Sequence, residues 1–338
     1  MKKILMIGTG GTIASLKTEN GLTPGLTTQD ILSYIPAVEH ICEVETTQVC
    51  NLDSTNVTSD HWKLIVKTIE DNYHRFDGFV VCHGTDTLAY TAAALSYMVQ
   101  DSAKPIVVTG AQKPINLDVT DGKTNLLDSF IYASDDDAWN VNIVFGGKVI
   151  AGTRAKKERA KSYNAFASIN YPYRAIIQDG RLIRYIYQPK PSDDAVKFSY
   201  NMVESVCVLK LTPGIKPEIM KFLFEHHRCL IIESFGVGGV PGYLVDTLRE
   251  EIENGKEQGK FAVVTTQVAN EGSDMTVYEV GKRIKQELGL IESYDMTLEA
   301  TITKLMWIMG QDVSSYEEMK KLFYKPINFD TLIQKSIS

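Results

Sequence analysis

Small polar residues that could perform acyl-transfer chemistry follow a buried strand in the first half of the chain. The apolar run 80–82 stops at "HGTDT" (83–87), and an alanine-rich helical segment follows it. A tight turn needs only Gly84, so two hydroxyls and a carboxylate at the carboxyl end of a strand indicate more than a turn. A threonine hydroxyl is a weak nucleophile near neutral pH and needs an adjacent base or a charged relay.

A second candidate nucleophile lies in the glycine-rich loop "GTGGTIA" (8–14). The dinucleotide-binding fingerprint requires glycine at position 13, where Ile13 stands, and no Gly-Lys-Ser/Thr follows to complete a phosphate loop. The glycines let the backbone approach a ligand closely and leave Thr12 projecting from the turn. Taken alone, the loop is equally consistent with a tight turn that a threonine caps.

Charged partners for these hydroxyls are available in two places. Asp86 stands beside Thr85 and can orient a substrate ammonium or a lysine. A buried lysine whose pKa is lowered by desolvation can accept a proton. The segment "AGTRAKKERAK" offers Lys156, Lys157 and Lys161, and the residue types alone do not choose among them.

A third polar loop precedes the predicted helix "SDHWKLIVKTIEDNYHRF", for which Ser59 is the expected N-cap. Asp53, Ser54 and Thr55 lie just ahead of it. Hydroxyls and free N–H groups at a helix start suit a carboxylate ligand. The alternative is a run of Asx and Ser/Thr turns leading into the cap.

Composition excludes several classes of protein. A net charge of -7 over 338 residues provides no basic patch for nucleic acid. Five cysteines without C-x-x-C spacing indicate reduced thiols of a cytosolic protein, and we expect no metal site. The apolar run 4–7 is shorter than the ~7–15 residues of a signal peptide. No stretch approaches the ~20 apolar residues of a membrane span.

Apolar strands alternate with amphipathic helices along the chain, which predicts two α/β domains with mostly parallel sheets. We expect a domain over 1–188 that carries the threonines, a linker over 189–205 and a second domain over 206–338 that ends in two helices. Gly146-Gly147 between two apolar runs predicts a hairpin. Ligands bind at the carboxyl ends of parallel strands, which directs attention to the loops after Ile7, Cys82, Thr109 and Val268.

"TGGTIA" together with "HGTDT" resembles the paired signature of the bacterial-type L-asparaginase family. "VVTGAQKP", "AFASINYP" and "DMTLEATITKLMW" resemble its cytosolic type I branch. The resemblance implies a larger, flavodoxin-like N-terminal domain and a smaller C-terminal one. It also implies a cytoplasmic enzyme that hydrolyses L-asparagine to L-aspartate and ammonia without a cofactor, as a homodimer or homotetramer.

The resemblance assigns catalytic roles by motif. Thr12 would be the acylating nucleophile, and Thr85 and Asp86 fall on the family's second threonine and its aspartate. The family's lysine lies in an R-x-x-K pattern, which Arg154 and Lys157 fit.

The resemblance also assigns substrate contacts. Asp53, Ser54 and Thr55 match the loop that grips the substrate's carboxylate and amino group, and Ala111 matches a residue near the leaving amide.

The flap after the first motif departs from the family pattern. Many members carry a tyrosine where this chain has Leu22. The activating group for Thr12 would then be Thr23, a mobile Tyr34 or water. A lid hinged by Gly21, Pro24 and Gly25 would close over the substrate.

Other functions stay open at this level. A slightly deeper pocket would favour glutamine, which differs from asparagine by one methylene. The chain could be the amidase component of a tRNA-dependent amidotransferase, although such components carry an extra N-terminal domain for which we expect no room before Ile4. A catalytically silent amino-acid-binding regulator would need no nucleophile. Activation by the substrate itself also occurs among type I relatives.

Overall fold

The computed structural model describes residues 1–19, 21–313 and 315–332, apart from the side chains of Lys17, Thr18, Leu22 and Pro24. Two compact units divide the chain: Met1–Tyr200 with Ile327–Phe329, and Asn201–Pro326 with the residues from Asp330. The first contains a large, mostly parallel sheet and the second a smaller parallel sheet, which confirms the predicted fold class. The boundaries at 188 and 206 stay a prediction.

The first unit contains strands and four α-helices within the described residues. The strands are β1 (Lys2–Gly10), β2 (Ser15–Thr18), β3 (Gly21–Pro24), β4 (Cys42–Leu52), β5 (Gly78–Cys82), β6 (Val99–Gln100), β7 (Pro105–Thr109), β8 (Asn140–Phe145), β9 (Lys148–Ala151), β10 (Ala155–Lys157), β11 (Phe166–Ser168), β12 (Ala175–Gln178), β13 (Arg181–Ile183) and β14 (Lys197–Phe198). The helices are α1 (Thr28–Ser33), α2 (Ser59–Asn72), α3 (Leu88–Met98) and α4 (Gly122–Ala133). Strand β14 lies inside the predicted linker and pairs with β6.

Over the described residues, the large sheet has eight strands in the order β13-β12-β9-β8-β7-β5-β1-β4. The five strands from β8 to β4 are parallel, and β9, β12 and β13 extend the sheet antiparallel. When the parallel strands β1, β4, β5, β7 and β8 are renumbered 1 to 5 along the chain, their order in the sheet is the flavodoxin-like 2-1-3-4-5. The direction in which successive strands are added reverses between β1 and β5. A ligand is therefore expected beyond the carboxyl ends of β1 and β5.

Hydrophobic patterning explains these elements. Every residue of β5, β7 and β8 is buried, as a parallel sheet covered on both faces requires. The predicted face of α2 and the segment after it is confirmed as core: Trp62, Ile65, Val66, Ile69, Tyr73 and Phe76.

Two local predictions have different outcomes. The predicted N-cap of α2 was wrong by one residue, because the cap is Thr58, whose N–H donates to His61 Nδ1 at 3.1 Å. Gly146 and Gly147 have φ values of 58° and 71° and join antiparallel β8 and β9, which confirms the predicted hairpin.

The second unit is a smaller α/β domain. Its strands are β15 (Val206–Lys210), β16 (Cys229–Ser234), β17 (Phe261–Thr266) and β18 (Ile291–Glu292), parallel and in chain order. Its helices are α5 (Pro217–His226), α6 (Gly242–Gly255), α7 (Glu279–Leu288), α8 (Leu298–Met309) and α9 (Tyr316–Tyr324). The expectation of two closing helices was wrong, since three helices and β18 follow β17 in the described chain. A two-residue strand is too short to produce a periodic pattern. No helix in the described part of the chain is long and apolar enough to cross a membrane.

Candidate active site

Three loops of the first unit meet beyond the carboxyl ends of β1, β4 and β5. Gly11 packs so closely on Gly84 that a Cβ at Gly11 would lie 2.4 Å from the Gly84 Cα. A Cβ at Gly84 would in turn lie 2.6 Å from Ser54 Oγ. Glycine at both positions therefore lets the loops of Thr12, Thr85 and Ser54 touch.

Lys157, Thr85 and Asp86 form a connected polar cluster at this end of the sheet. The Lys157 ammonium donates to Thr85 Oγ1 at 2.8 Å and to Asp86 Oδ1 at 2.6 Å. The Lys157 side chain is 17% exposed and that of Asp86 58%. Thr85 is buried, and its hydroxyl donates to Gln112 Oε1 at 3.1 Å. Such a cluster can orient the Thr85 hydroxyl and transfer a proton through it.

Strand alternation determines which lysine reaches this cluster. Lys157 pairs with Phe166 and Lys156 with Ala167 in the antiparallel ribbon of β10 and β11. Successive side chains of a strand point to opposite faces, so Lys156 points away from the side on which Lys157 meets Thr85. Lys161 lies beyond the ribbon and is exposed.

Thr12 opens a short 3-10 turn over Thr12–Ala14 directly after β1. Gly10 and Gly11 have φ values of 99° and 78°, which favour glycine and turn the chain sharply out of the strand. The Gly11 carbonyl accepts from Ala14 N at 3.1 Å and from Ser15 Oγ at 2.9 Å, which fixes the turn. Thr12 is partly exposed at the end of the sheet where a ligand is expected. The alternative of a capping threonine was wrong, because Gly11 is the N-cap of this turn and a hairpin of β2 and β3 follows within the described residues.

The loop of Asp53, Ser54 and Thr55 combines a turn with a packed position. Asp53 Oδ1 accepts from both the N–H and the hydroxyl of Thr55 at 2.9 Å, which is the Asx turn expected as the alternative. Ser54 is buried against Gly84, and its carbonyl accepts from Thr87 Oγ1 at 2.7 Å. Asp53 and Thr55 are exposed, so the loop presents their polar groups to solvent and keeps Ser54 buried.

Ala111 is buried in the loop after β7. The next residue, Gln112, has its N–H bound to Asp121 Oδ2 at 2.9 Å. Its side-chain amide donates to the Arg159 carbonyl at 3.3 Å and to the Ser162 carbonyl at 3.2 Å. Gln112 therefore links the Thr85 hydroxyl to the segment that follows Lys157.

His83 supports this arrangement from the interior. Its ring is fully buried, and burial lowers its pKa to about 4. Nδ1 lies 2.8 Å from the Gly84 carbonyl, which can only accept, so Nδ1 carries the proton of the neutral ring. Nε2 then accepts from the Thr91 hydroxyl at 3.0 Å, and Thr91 accepts from Trp62 Nε1 at 2.9 Å. This chain of bonds fixes the turn that presents Thr85.

The remaining residues predicted to lie near a ligand are in the flap and in the loop after β17. Leu22 lies in β3, but its side chain is outside the described part of the structure. Thr23 is exposed, and Tyr34, the C-cap of α1, packs against the hydrophobic core. Val268 is exposed and follows β17 in the second unit.

Sequence reasoning missed two residues of this site, Gln112 and His83. Both lie inside the motifs "TGAQKP" and "HGTDT", and the available signal was a polar side chain within three residues of the end of a buried strand. No group of three or more His, Cys, Asp or Glu that could hold a metal ion occurs in residues 1–19, 21–313 and 315–332.

Comparisons with known proteins agree over nearly the whole chain. The family model "Asparaginase, N-terminal" matches residues 3–191, and "Glutaminase/Asparaginase C-terminal domain" matches residues 205–323. L-asparaginase from Thermococcus kodakarensis is 37% identical over 327 residues, covering 96% of this chain and 98% of that protein. The solved structure of the thermostable L-asparaginase from this organism matches with a TM-score of 0.89 at 35% identity, covering 98% and 100% of the two chains.

Two further relatives represent different branches. L-asparaginase 1 from Escherichia coli K12 is 32% identical over 93% of this chain and 94% of its own length. A glutamyl-tRNA(Gln) amidotransferase polypeptide from Pyrococcus abyssi is 32% identical over 95% of this chain and 75% of its own length. The chain therefore belongs to the asparaginase family, as its two threonine motifs predict.

Proposed function

We propose that the protein hydrolyses L-asparagine to L-aspartate and ammonia through an acyl-enzyme on Thr12. The contact that carries this proposal is the Lys157 ammonium on the Thr85 hydroxyl, 2.8 Å apart, in a loop packed against that of Thr12. Membership of the asparaginase family and relatives named L-asparaginase support the substrate.

In the first half-reaction, Thr12 Oγ attacks the side-chain amide carbon of asparagine. The hydroxyl proton leaves Thr12, the C–N bond breaks, and ammonia departs with a proton supplied to its nitrogen. Tyr34 packs, partly buried, against the hydrophobic core, which favours Thr23 or water over Tyr34 as the group that receives the Thr12 proton. Backbone N–H groups of the glycine-rich turns would stabilise the oxyanion, at ~3–4 kcal/mol per donor.

In the second half-reaction, water attacks the aspartyl ester on Thr12. Thr85, held by Lys157, which donates in turn to Asp86, relays a proton between this water and the reacting group. The ester C–O bond breaks, Thr12 regains its hydroxyl proton and aspartate leaves. Dividing amide hydrolysis in this way replaces one difficult step with two easier ones.

The substrate's charged ends would bind to the loop after β4. We assign Asp53 to the α-ammonium, since a carboxylate is the group that pairs with a cation. Ser54 would supply a hydroxyl donor for the α-carboxylate, and Thr55, whose hydroxyl donates to Asp53 Oδ1, would hold the Asp53 carboxylate in place. Ala111 would lie near the leaving amide.

Assembly and location belong to the same proposal. We infer a homodimer or homotetramer in the cytoplasm, without metal, cofactor or nucleic acid. The five free cysteines, none of them in a disulfide, support a reducing compartment. Size-exclusion chromatography with light scattering tests the assembly.

The test of the proposed function is ammonia release, measured over a concentration series of L-asparagine and of L-glutamine in parallel. The proposal predicts rapid release from asparagine, slow release from glutamine and no requirement for tRNA. A sigmoidal asparagine curve would add activation by substrate. Similar rates on both amides would indicate a glutaminase-asparaginase. Asparagine binding in a calorimeter without sustained turnover heat would contradict the proposal and favour the amino-acid-binding regulator.

A further inference from the structure

The segment Ile327–Phe329 belongs to the first unit although it follows the last helix of the chain. Asn328 is 9% exposed and has a φ of 46°. This is the left-handed region, which asparagine adopts more readily than most other non-glycine residues. A buried polar residue in this conformation must be held by its contacts.

The Asn328 side chain binds α3, the helix that follows Thr85 and Asp86, and the start of β8. Its Nδ2 donates to Ser96 Oγ at 2.8 Å and to the Val141 carbonyl at 2.9 Å. Ser96 lies on α3, the helix that begins two residues after Asp86. Asn140 Nδ2 donates to Asn328 Oδ1 at 3.1 Å.

The backbone of the same segment accepts hydrogen bonds from Thr153 and Arg154, which precede Lys157 in the chain. Thr153 Oγ1 donates to the Asn328 carbonyl at 2.6 Å, and Arg154 Nε donates to the Phe329 carbonyl at 2.5 Å. Thr153 and Arg154 are fully buried and directly precede β10, which ends at Lys157. One residue, Asn328, therefore contacts both chain segments whose side chains meet in the Lys157 cluster.

We propose that Asn328 is a positioning residue that fixes Lys157 relative to Thr85 and Asp86. The catalytic part of this inference rests on the proposed function. Donor–acceptor distances of N–H···O hydrogen bonds lie at about 2.7–3.2 Å, so a small shift of β10 against α3 would take the Lys157–Thr85 pair out of this range. A misplacement of about 1 Å in a catalytic constellation can reduce turnover roughly a hundredfold.

Two sets of variants separate positioning from stability. Asn328→Gly deletes the side-chain bonds, while glycine accepts the positive φ and keeps the carbonyl for Thr153. Thr153→Val removes the hydroxyl donor, and Thr153→Ser retains it. Tyr73→Phe is the control for stability alone, because it deletes a buried 2.9 Å bond to Ser102, and Tyr73 bonds neither Asn328 nor Lys157.

The first readout needs no turnover: competitive acetylation of Lys157 relative to Lys156, measured by mass spectrometry. We expect several-fold faster labelling of Lys157 in Asn328→Gly and Thr153→Val, and wild-type labelling in Thr153→Ser and Tyr73→Phe. The second readout is kcat and KM for asparagine. We expect kcat to fall roughly ten- to hundredfold in the first two variants, with KM little changed.

Melting temperatures are measured for all four variants. If Asn328→Gly lowers the melting temperature as Tyr73→Phe does and leaves Lys157 labelling unchanged, Asn328 is only structural and the inference is overturned. If wild type hydrolyses no amide, the proposed function fails, while the labelling still decides whether Asn328 positions Lys157.

Discussion

Lys157 donates a 2.8 Å hydrogen bond to the hydroxyl of Thr85, although 72 residues separate them in the sequence. Thr85 follows β5, next to the reversal of strand order at which α/β sheets bind ligands. Lys157 arrives from the β10–β11 ribbon, after the sheet has turned antiparallel at β9. Two different parts of the fold thus assemble the Lys157–Thr85 pair, to which we assign proton transfer.

Lys157→Met should reduce turnover of asparagine about 10²- to 10⁴-fold, because it removes the charge and donor that orient Thr85. The melting temperature should change little, since methionine occupies a similar volume. The measurement is kcat from ammonia release. Lys156→Met is the matched control on the opposite face of β10, and it should behave as wild type. Equal losses in both variants would refute the assignment of Lys157.

Gly84→Ala should reduce activity through crowding, not through loss of a chemical group. The added Cβ would lie 2.6 Å from Ser54 Oγ, so the loops of Thr85 and Ser54 must separate. We expect kcat/KM for asparagine to fall roughly a hundredfold. Gly242→Ala, at a glycine with no atom within 4 Å of the added Cβ, is the control and should be neutral. Full activity of Gly84→Ala would show that this contact is not needed.

The buried ring of His83 predicts a loss of stability in mild acid. Burial lowers its pKa from 6.5 to about 4, so between these values the unfolded chain binds a proton that the folded protein does not. The contribution of His83 to the free energy of unfolding is about 3 kcal/mol. It is complete above pH 6.5 and is lost as pH falls through about 4. The urea midpoint, measured across this range, should fall less steeply with pH in His83→Asn than in wild type.

Asp128 changes stability with pH in the opposite direction to His83, over part of the same pH range. Burial raises its pKa from 3.8 to about 6, so its contribution is complete below pH 3.8 and is lost as pH rises through about 6. Because Asp128 is present in both proteins, the test of His83 is the difference between the urea midpoints of wild type and His83→Asn at each pH. Parallel pH curves for the two proteins would contradict the buried neutral histidine.

Local patterns were sufficient for much of the fold. The apolar run ending at Cys82, the periodic face of α2 and the Gly146-Gly147 turn each predicted an element that the structure contains. The assignments of Thr12, Thr85, Asp86 and Lys157 came from motifs. Residue types alone could not separate Lys157 from Lys156, because that choice depends on which face of β10 meets Thr85.

Contacts between distant segments were not visible in the sequence. Asn328 binds Asn140 across 188 residues and Thr153 across 175, and no periodic pattern records such pairs. Gln112 meets the Thr85 hydroxyl only when β5 and β7 pair, and the His83 ring meets Thr91 only when α3 packs behind β5. The two residues of β18 are recognisable only by their pairing with β17.

Ammonia release from L-asparagine by Thr12→Ala, with Thr12→Ser and wild type in parallel, tests the central claim most directly. We expect no detectable release from Thr12→Ala at an unchanged melting temperature, because the attacking oxygen is gone. Thr12→Ser keeps that oxygen and should retain measurable turnover. Near-wild-type release from folded Thr12→Ala would contradict an acyl-enzyme on Thr12.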